Sequence, residues 1–291
     1  MSAGAVAAVR FRRLAQVDIA RDLLIVALAM VTSTLGAIGG LGGAIILVPL
    51  LTLGGMSISS AAPLGLVSVI AGSVAAGRRQ VGDGTVNHRF AVVTELGATS
   101  GAIVGVFLSG ALSERVLMWC LAGFAVAAAV LGARRKGMRW QPDASLTTND
   151  VGERQGSLAG AYLLDEGVVP YAPSRMKLGI GLMTLAGVVT GLAGVGGGFL
   201  KTPLSSEVMR LPAKVAAGTS TFTIGLTASV ALVLMAIDGR IVASDAALVV
   251  LGALVGGTVG ARVQKKLSPP VVRRTTAFAL VVIAAVLVAR A

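Results

Sequence analysis

Gly40-Leu41-Gly42-Gly43 is followed by Pro49, and Gly194-Val195-Gly196-Gly197 is followed by Pro203. The same glycine motif thus occurs twice, 154 residues apart. Each copy lies in an apolar stretch without charge: Leu23 to Gly77 spans 55 residues, and Leu178 to Leu200 spans 23. As one helix, Leu23–Leu53 would run about 46 Å, too long for a bilayer core of roughly 30 Å without extreme tilt. Gly36, Gly39, Gly40, Gly42 and Gly43 interrupt it, and Pro49 removes a backbone donor. The expected solution is a re-entrant hairpin or an unwound helix. Irregular backbone at that depth survives only where it is buried in protein or lines a wet cavity.

The rest of the chain has the same character. Of its 291 residues 55% are hydrophobic and only 13% charged, with mean hydropathy +0.87. A soluble domain carries about 25% charged residues. Further uncharged runs are Val116–Ala133, Val215–Ile237, Ala246–Ala261 and Thr275–Ala289. These predict an all-α integral membrane protein, because such runs are far too long for barrel strands. The net charge of +12 points to basic loops facing the cytoplasm, not to nucleic acid. Arg78, Arg79 and Arg89 share one loop region, Arg134, Arg135, Lys136 and Arg139 a second, and Lys265, Lys266, Arg273 and Arg274 a third. Cys120 is the single cysteine, so no intrachain disulfide can form. Arg10, Arg12, Arg13 and Arg21 precede the first apolar run as in a signal n-region, but no convincing cleavage site follows. Residues 1–22 read as an uncleaved cytoplasmic lead.

The duplication extends past the motif. At an offset of 155, Gly97, Gly101 and Gly105 match Gly252, Gly256 and Gly260, and Leu112-Ser113 matches Leu267-Ser268. The division that follows is membrane repeat 23–133, polar cytoplasmic linker 134–177 and membrane repeat 178–291. The linker, with Asp143, Asp150, Glu153, Asp165 and Glu166, is too charged to cross. Each half reads as a glycine-broken segment followed by three helices, giving seven to eight crossings. The glycines at every fourth position fall on one helix face and permit close backbone packing, a seam with no role in cargo binding.

With the three basic regions inside, loops 110–115 and 238–245 lie outside and the loop carrying Lys201, Arg210 and Lys214 lies inside. The halves then form inverted repeats, as in many secondary transporters, and the C-terminus is outside. One conflict stands: strict symmetry puts the N-terminus outside, whereas its arginines argue inside.

Several chemistries find no support. A dinucleotide fingerprint fails because Ile45 and Phe199 occupy the final glycine position, and a phosphate-binding loop fails because Leu200 precedes Lys201-Thr202. His88 is the lone histidine and sits in a loop, so no metal cluster or catalytic base is offered. The expectation is no enzyme, no cofactor and no metal. What remains is exposed backbone at Gly40, Gly42, Gly43, Gly194, Gly196 and Gly197, where helix N-termini favour anions. Thr219, Ser220 and Thr221 lie downstream of the second break and offer either hydroxyls for a cargo or bonds back to their own helix. Lys201 either snorkels to the headgroups or faces an anionic cargo. Glu95 is a candidate for proton coupling if buried, and otherwise an interfacial carboxylate paired with Arg89 or His88.

The paired motifs resemble the TauE/SafE family of sulfite exporters. The second half carries the fuller signature, from Gly191 through Lys201-Thr202-Pro203 and then Ala216-Ala217-Gly218-Thr219-Ser220-Thr221. The resemblance covers roughly Leu23 to Ala289 and implies a carrier in the bacterial inner membrane for a small anionic substrate. Sulfite or an organosulfonate such as sulfoacetate would be the cargo, with export the implied direction. Two positions depart from the family pattern: Leu64-Gly65-Leu66 replaces hydroxyl-bearing residues, and Lys201 stands where an apolar residue is common. The expected partners are this anion and the lipid bilayer, with no nucleic acid, and a homodimer stays open. An integral-membrane enzyme or an assembly factor is the competing reading, for which no catalytic dyad is on offer.

Overall fold

In a computed structural model, the structure describes residues 3–39, 42–82, 84–134, 141–164 and 167–264, together with 281 and 285. The helices of the first half are α1 (Ala3–Gly39), α2 (Ala44–Leu53), α3 (Ile58–Gly82), α4 (His88–Ala111) and α5 (Glu114–Arg134). Those of the second half are α6 (Met176–Ala193), α7 (Gly198–Pro203), α8 (Ala213–Ile237) and α9 (Ala243–Gln264). Six stretches among the described residues are long and apolar enough to span a bilayer: one each in α1, α3, α4, α6, α8 and α9. The expected last helix, Val271–Ala289, lies outside the described residues apart from 281 and 285, as do Arg135, Lys136, Arg139 and the basic 265–274 segment.

Both broken segments are interrupted where the glycines predict. α1 stops at Gly39 and α2 resumes at Ala44; α6 stops at Ala193 and α7 resumes at Gly198. α2 is 10 residues long, about 15 Å, half of what a crossing needs. α7 is shorter still and runs into one π-helical turn, Leu204–Val208. Pro49 sits inside α2 and Pro203 closes α7, where the missing N–H favours early termination.

The glycine seams organise the packing. α1 lies along α9, and α6 lies along α4. A side chain on Gly101 would strike the carbonyl of Thr184, and one on Gly105 the carbonyl of Val188, both on α6. On the other pair, Gly256 meets the Met30 carbonyl and Gly260 the Thr34 carbonyl of α1. Corresponding glycines of the two halves therefore do the same work on corresponding partners: each bears on the helix that opens the opposite half. In lipid, with little hydrophobic drive between helices, such close approach is the main source of association.

Polar contacts sort the helix ends into two groups. At one end Arg21 of α1 pairs with Asp245 of α9 at 2.6 Å, Glu114 accepts the Ile58 N–H at 2.9 Å, and Arg240 donates to the Ser109 hydroxyl at 2.9 Å. At the other end Ser174 N–H donates to the Met209 carbonyl at 2.9 Å, and Asn87 gathers α4, α8 and the linker. The lead therefore runs into the end opposite the linker.

The linker holds a feature that the sequence reading did not contain. β1 (Gly152–Glu153), β2 (Gly160–Leu164) and β3 (Gly167–Tyr171) form an antiparallel sheet in the order β1-β2-β3. Tyr162 and Tyr171 bury their rings against Phe90, Met183, Met209, Leu211, Val215 and Ala216. The all-α expectation holds for the membrane portion, and the polar linker adds this small sheet clamped to it.

Candidate functional site

Gly42 and Gly196 are equivalent residues of the two breaks. Both have left-handed backbone, with φ of 80° and 58°, which side chains rarely tolerate. Both face the same two residues, Val69 of α3 and Ile224 of α8. Val69 and Ile224 are themselves equivalent at the 155-residue offset, each 11 residues into its helix. The two breaks therefore converge on one point, halfway along α3 and α8. Gly43 caps α2, and its Cα lies against the backbone of Ser33. Gly194 abuts the Ala62 carbonyl, and the Gly197 N–H donates to the Thr190 hydroxyl at 2.7 Å. Gly40, also expected at the site, lies outside the described residues.

Gly65 is explained by the same convergence. A Cβ there would collide with the Gly194 carbonyl and Val48. Its counterpart in the second half is Ser220. The first half lacks a hydroxyl at this position because backbone of the opposite break occupies the space.

One turn beyond the second break, Lys201 departs from the snorkelling expectation. It does not lie in a basic loop or reach toward headgroups; it is an α7 residue only 2% exposed. Its Nζ donates to Glu95 Oε2 at 2.8 Å and to Thr227 Oγ1 at 2.6 Å. The Thr227 hydroxyl in turn donates to Glu95 Oε1. Glu95 and Thr227 are buried as well. Lysine, carboxylate and hydroxyl thus close a three-membered polar ring that joins α7, α4 and α8.

This also corrects the interfacial reading of Glu95. Six residues of α4 separate it from Arg89, about 600° of helical rotation, which turns the two to different faces. His88 shares its face but lies about 10 Å along the axis. Both stay at the membrane end: Arg89 approaches Glu153 at 4.0 Å and donates to the Arg154 carbonyl, and the His88 N–H meets Glu153. The buried condition set for Glu95 is met, with Lys201 as its partner.

The hydroxyl cluster divides. Thr219 accepts the Asn87 N–H at 3.0 Å. Asn87 is also the N-cap of α4, accepting from the Phe90 N–H at 2.8 Å and donating to Leu158 and Tyr171 of the linker. Burial raises the Tyr171 phenol above its ordinary range, opposed by the Asn87 bond. Thr219 therefore helps to hold the linker end of the bundle. Thr221 bonds back to the Ala217 carbonyl at 2.9 Å, and Ser220 is buried beside it. The hydroxyl that reaches Lys201 is that of Thr227, two turns further along α8. Thr227 lay in plain view as a polar residue in an uncharged helix, and only its depth relative to Lys201 marks it out.

The chain that folds into this glycine-broken bundle is similar to known proteins. The family model for the sulfite exporter TauE/SafE family matches residues 24–287. The chain belongs to the TauE/SafE family. Among curated proteins, the probable membrane transporter protein YunE of Bacillus subtilis (strain 168) is 25% identical over 259 residues, covering 84% of this chain and 89% of YunE. No solved structure is significantly similar. Membership and the six apolar helices make the protein a multi-pass membrane transporter of the TauE/SafE family.

Proposed function

We propose that this TauE/SafE protein is a secondary transporter of small sulfur-containing anions, sulfite or an organosulfonate such as sulfoacetate, and that it works as an exporter. The observation that carries this reading is the convergence of both glycine breaks on Val69 and Ile224, one helical turn from the only buried lysine among the described residues. Bare backbone from Gly42, Gly43, Gly194, Gly196 and Gly197 lines the meeting point, and Lys201 supplies the cation. Ser220 and Thr221 border it on α8, and Thr219 braces the linker end of the same helix.

The halves are read as inverted repeats. α1 starts at the Arg21–Asp245 end, and α3 starts at the same end through Ile58 and Glu114, so the first broken segment enters and returns there. α6 starts beside the linker, and Met209 lies beside Ser174, so the second enters and returns at the opposite end. With the basic, linker-bearing end read as cytoplasmic, the lead falls on the outer side, as symmetry would have it and against the reading of its arginines. The C-terminus is then periplasmic in the bacterial inner membrane. Reporter fusions check this: one at Gly137 reads cytoplasmic and one at Ala291 periplasmic, and cytoplasmic readings from both would refute the inversion.

Alternating access follows from the paired hairpins, because each break can open to its own side while the other stays packed. The direct test is flux of labelled sulfite and sulfoacetate in proteoliposomes. Transport above empty liposomes is expected for at least one. Rates equal to empty liposomes for both would remove the proposed cargo.

A further inference from the structure

The ring of Lys201, Glu95 and Thr227 is charged at both ends, yet the fold does not require it. At the matching positions of the other half stand Leu47, Val250 and Gly72, an apolar set in the same architectural place. A buried ion pair is weak as a source of stability, since desolvation cancels much of its attraction. Ionisable residues within the membrane region of a transporter mark cargo or proton paths by default.

The pair also poses a problem for anion binding. Lys201 already has a partner of opposite charge at 2.8 Å. An anion arriving beside an ionised Glu95 would leave the buried centre with a net charge of −1, and a proton arriving alone would leave it at +1. Both are costly at low dielectric. The arrival of both together leaves it at zero, as in the empty state.

We propose that Glu95 is a tethered stand-in for the cargo, occupying Lys201 when the site is empty, and that each monovalent anion binds together with one proton taken up by Glu95. A Glu95 O–H forms with a proton from solvent, the Lys201–Glu95 ion pair breaks, and a Lys201–anion pair replaces it. Thr227 then keeps the protonated carboxyl in place by hydrogen bonding. Transport is consequently an electroneutral 1:1 symport of proton and monoanion. This inference rests on the transport reading above and adds its coupling ion and stoichiometry.

The other charged groups on the elements packed around Glu95 and Lys201 are few among the described residues. α6 and α8 pack on α4, and α5 also packs on α7. Their charged residues lie at helix ends: Lys177 on α6, Lys214 on α8, and Glu114, Arg115 and Arg134 on α5. On α4 itself His88 and Arg89 are at the start, and Glu207 on the π turn is exposed. Lys214 sits over the Tyr162 ring of the linker, 5.9 Å from its centroid.

The experiment uses purified full-length protein. In weakly buffered detergent, methanesulfonate and ethanesulfonate are added as monoanion probes that do not titrate themselves, and proton uptake is read with an indicator dye. One proton per anion bound is expected, and Glu95→Gln should bind either probe with no proton uptake. In proteoliposomes, wild-type flux should follow an imposed pH gradient and ignore a membrane potential, whereas Glu95→Gln flux should follow the potential. Binding without proton uptake by the wild type, or coupling unchanged in Glu95→Gln, overturns the proposal. Proton-linked binding without any flux overturns the transport reading and the symport with it, while leaving the exchange of Glu95 for an anion at Lys201 standing. Absence of binding by every probe overturns both.

Discussion

The two halves of this transporter place different chemistry at matching points of one scaffold. After the first break, Leu47 packs in the apolar core, and the matching residues on α9 and α3 are Val250 and Gly72. After the second, Lys201 meets Glu95 and Thr227. The breaks, the prolines and the glycine seams are shared; the charge is not. Because the first half forms the same elements without such a ring at the matching positions, the scaffold does not call for it, and the proposed function gives it a use. The duplicated scaffold supplies two hairpins, and among the described residues only the second leads into a buried lysine.

The comparison breaks most sharply if the ring can be dismantled one member at a time without cost. Lys201→Leu leaves a buried carboxylate and Glu95→Val leaves a buried ammonium; each should lower stability by about 3 kcal/mol. The double variant Lys201→Leu/Glu95→Val reproduces the first half's pattern and should recover most of that loss. Thermal unfolding in detergent measures all three. A double variant as unstable as the sum of the singles would make the ring a structural requirement.

The seams test the shared part of the comparison. Gly101→Val and Gly256→Val each drive a side chain into a facing carbonyl, of Thr184 and of Met30. Overpacking of this kind costs about 1–3 kcal/mol, and equal losses are expected in both halves. A tolerant seam in one half would show that the halves are not packed alike.

The smallest effect concerns Thr219. Thr219→Val removes the acceptor of the buried Asn87 N–H, at a cost of about 1–2 kcal/mol. Melting temperature should fall while the KM for the anion stays unchanged. A raised KM with unaltered melting would return Thr219 to the cargo site and shift weight from Lys201 to the hydroxyl cluster.

Much of the frame is visible in the sequence. Glycines in an uncharged segment about one and a half times the needed length must interrupt a helix, and Gly97, Gly101 and Gly105 must lie on one face. What stays hidden is pairing between distant segments. Glu95 and Lys201 are 106 residues apart, and nothing local distinguishes a lysine near a proline from one at a membrane surface. Their contact depends on the seam between α4 and α6, which fixes the depth of both. Thr227 is obscured for the same reason. The linker sheet escapes because its strands, at most 5 residues long, carry no sustained alternation; they are stabilised by Tyr162 and Tyr171 docking on Phe90 and Met209.

The most direct measurement compares anion flux in proteoliposomes for wild type and the Lys201→Leu/Glu95→Val variant, at matched amounts of folded protein. The unequal equipment of the two halves predicts sulfite or sulfonate flux well above empty liposomes for the wild type. It predicts a loss of at least an order of magnitude for the variant. Equal flux from both would contradict it, because a scaffold with two apolar halves would then carry the anion as well as the natural one.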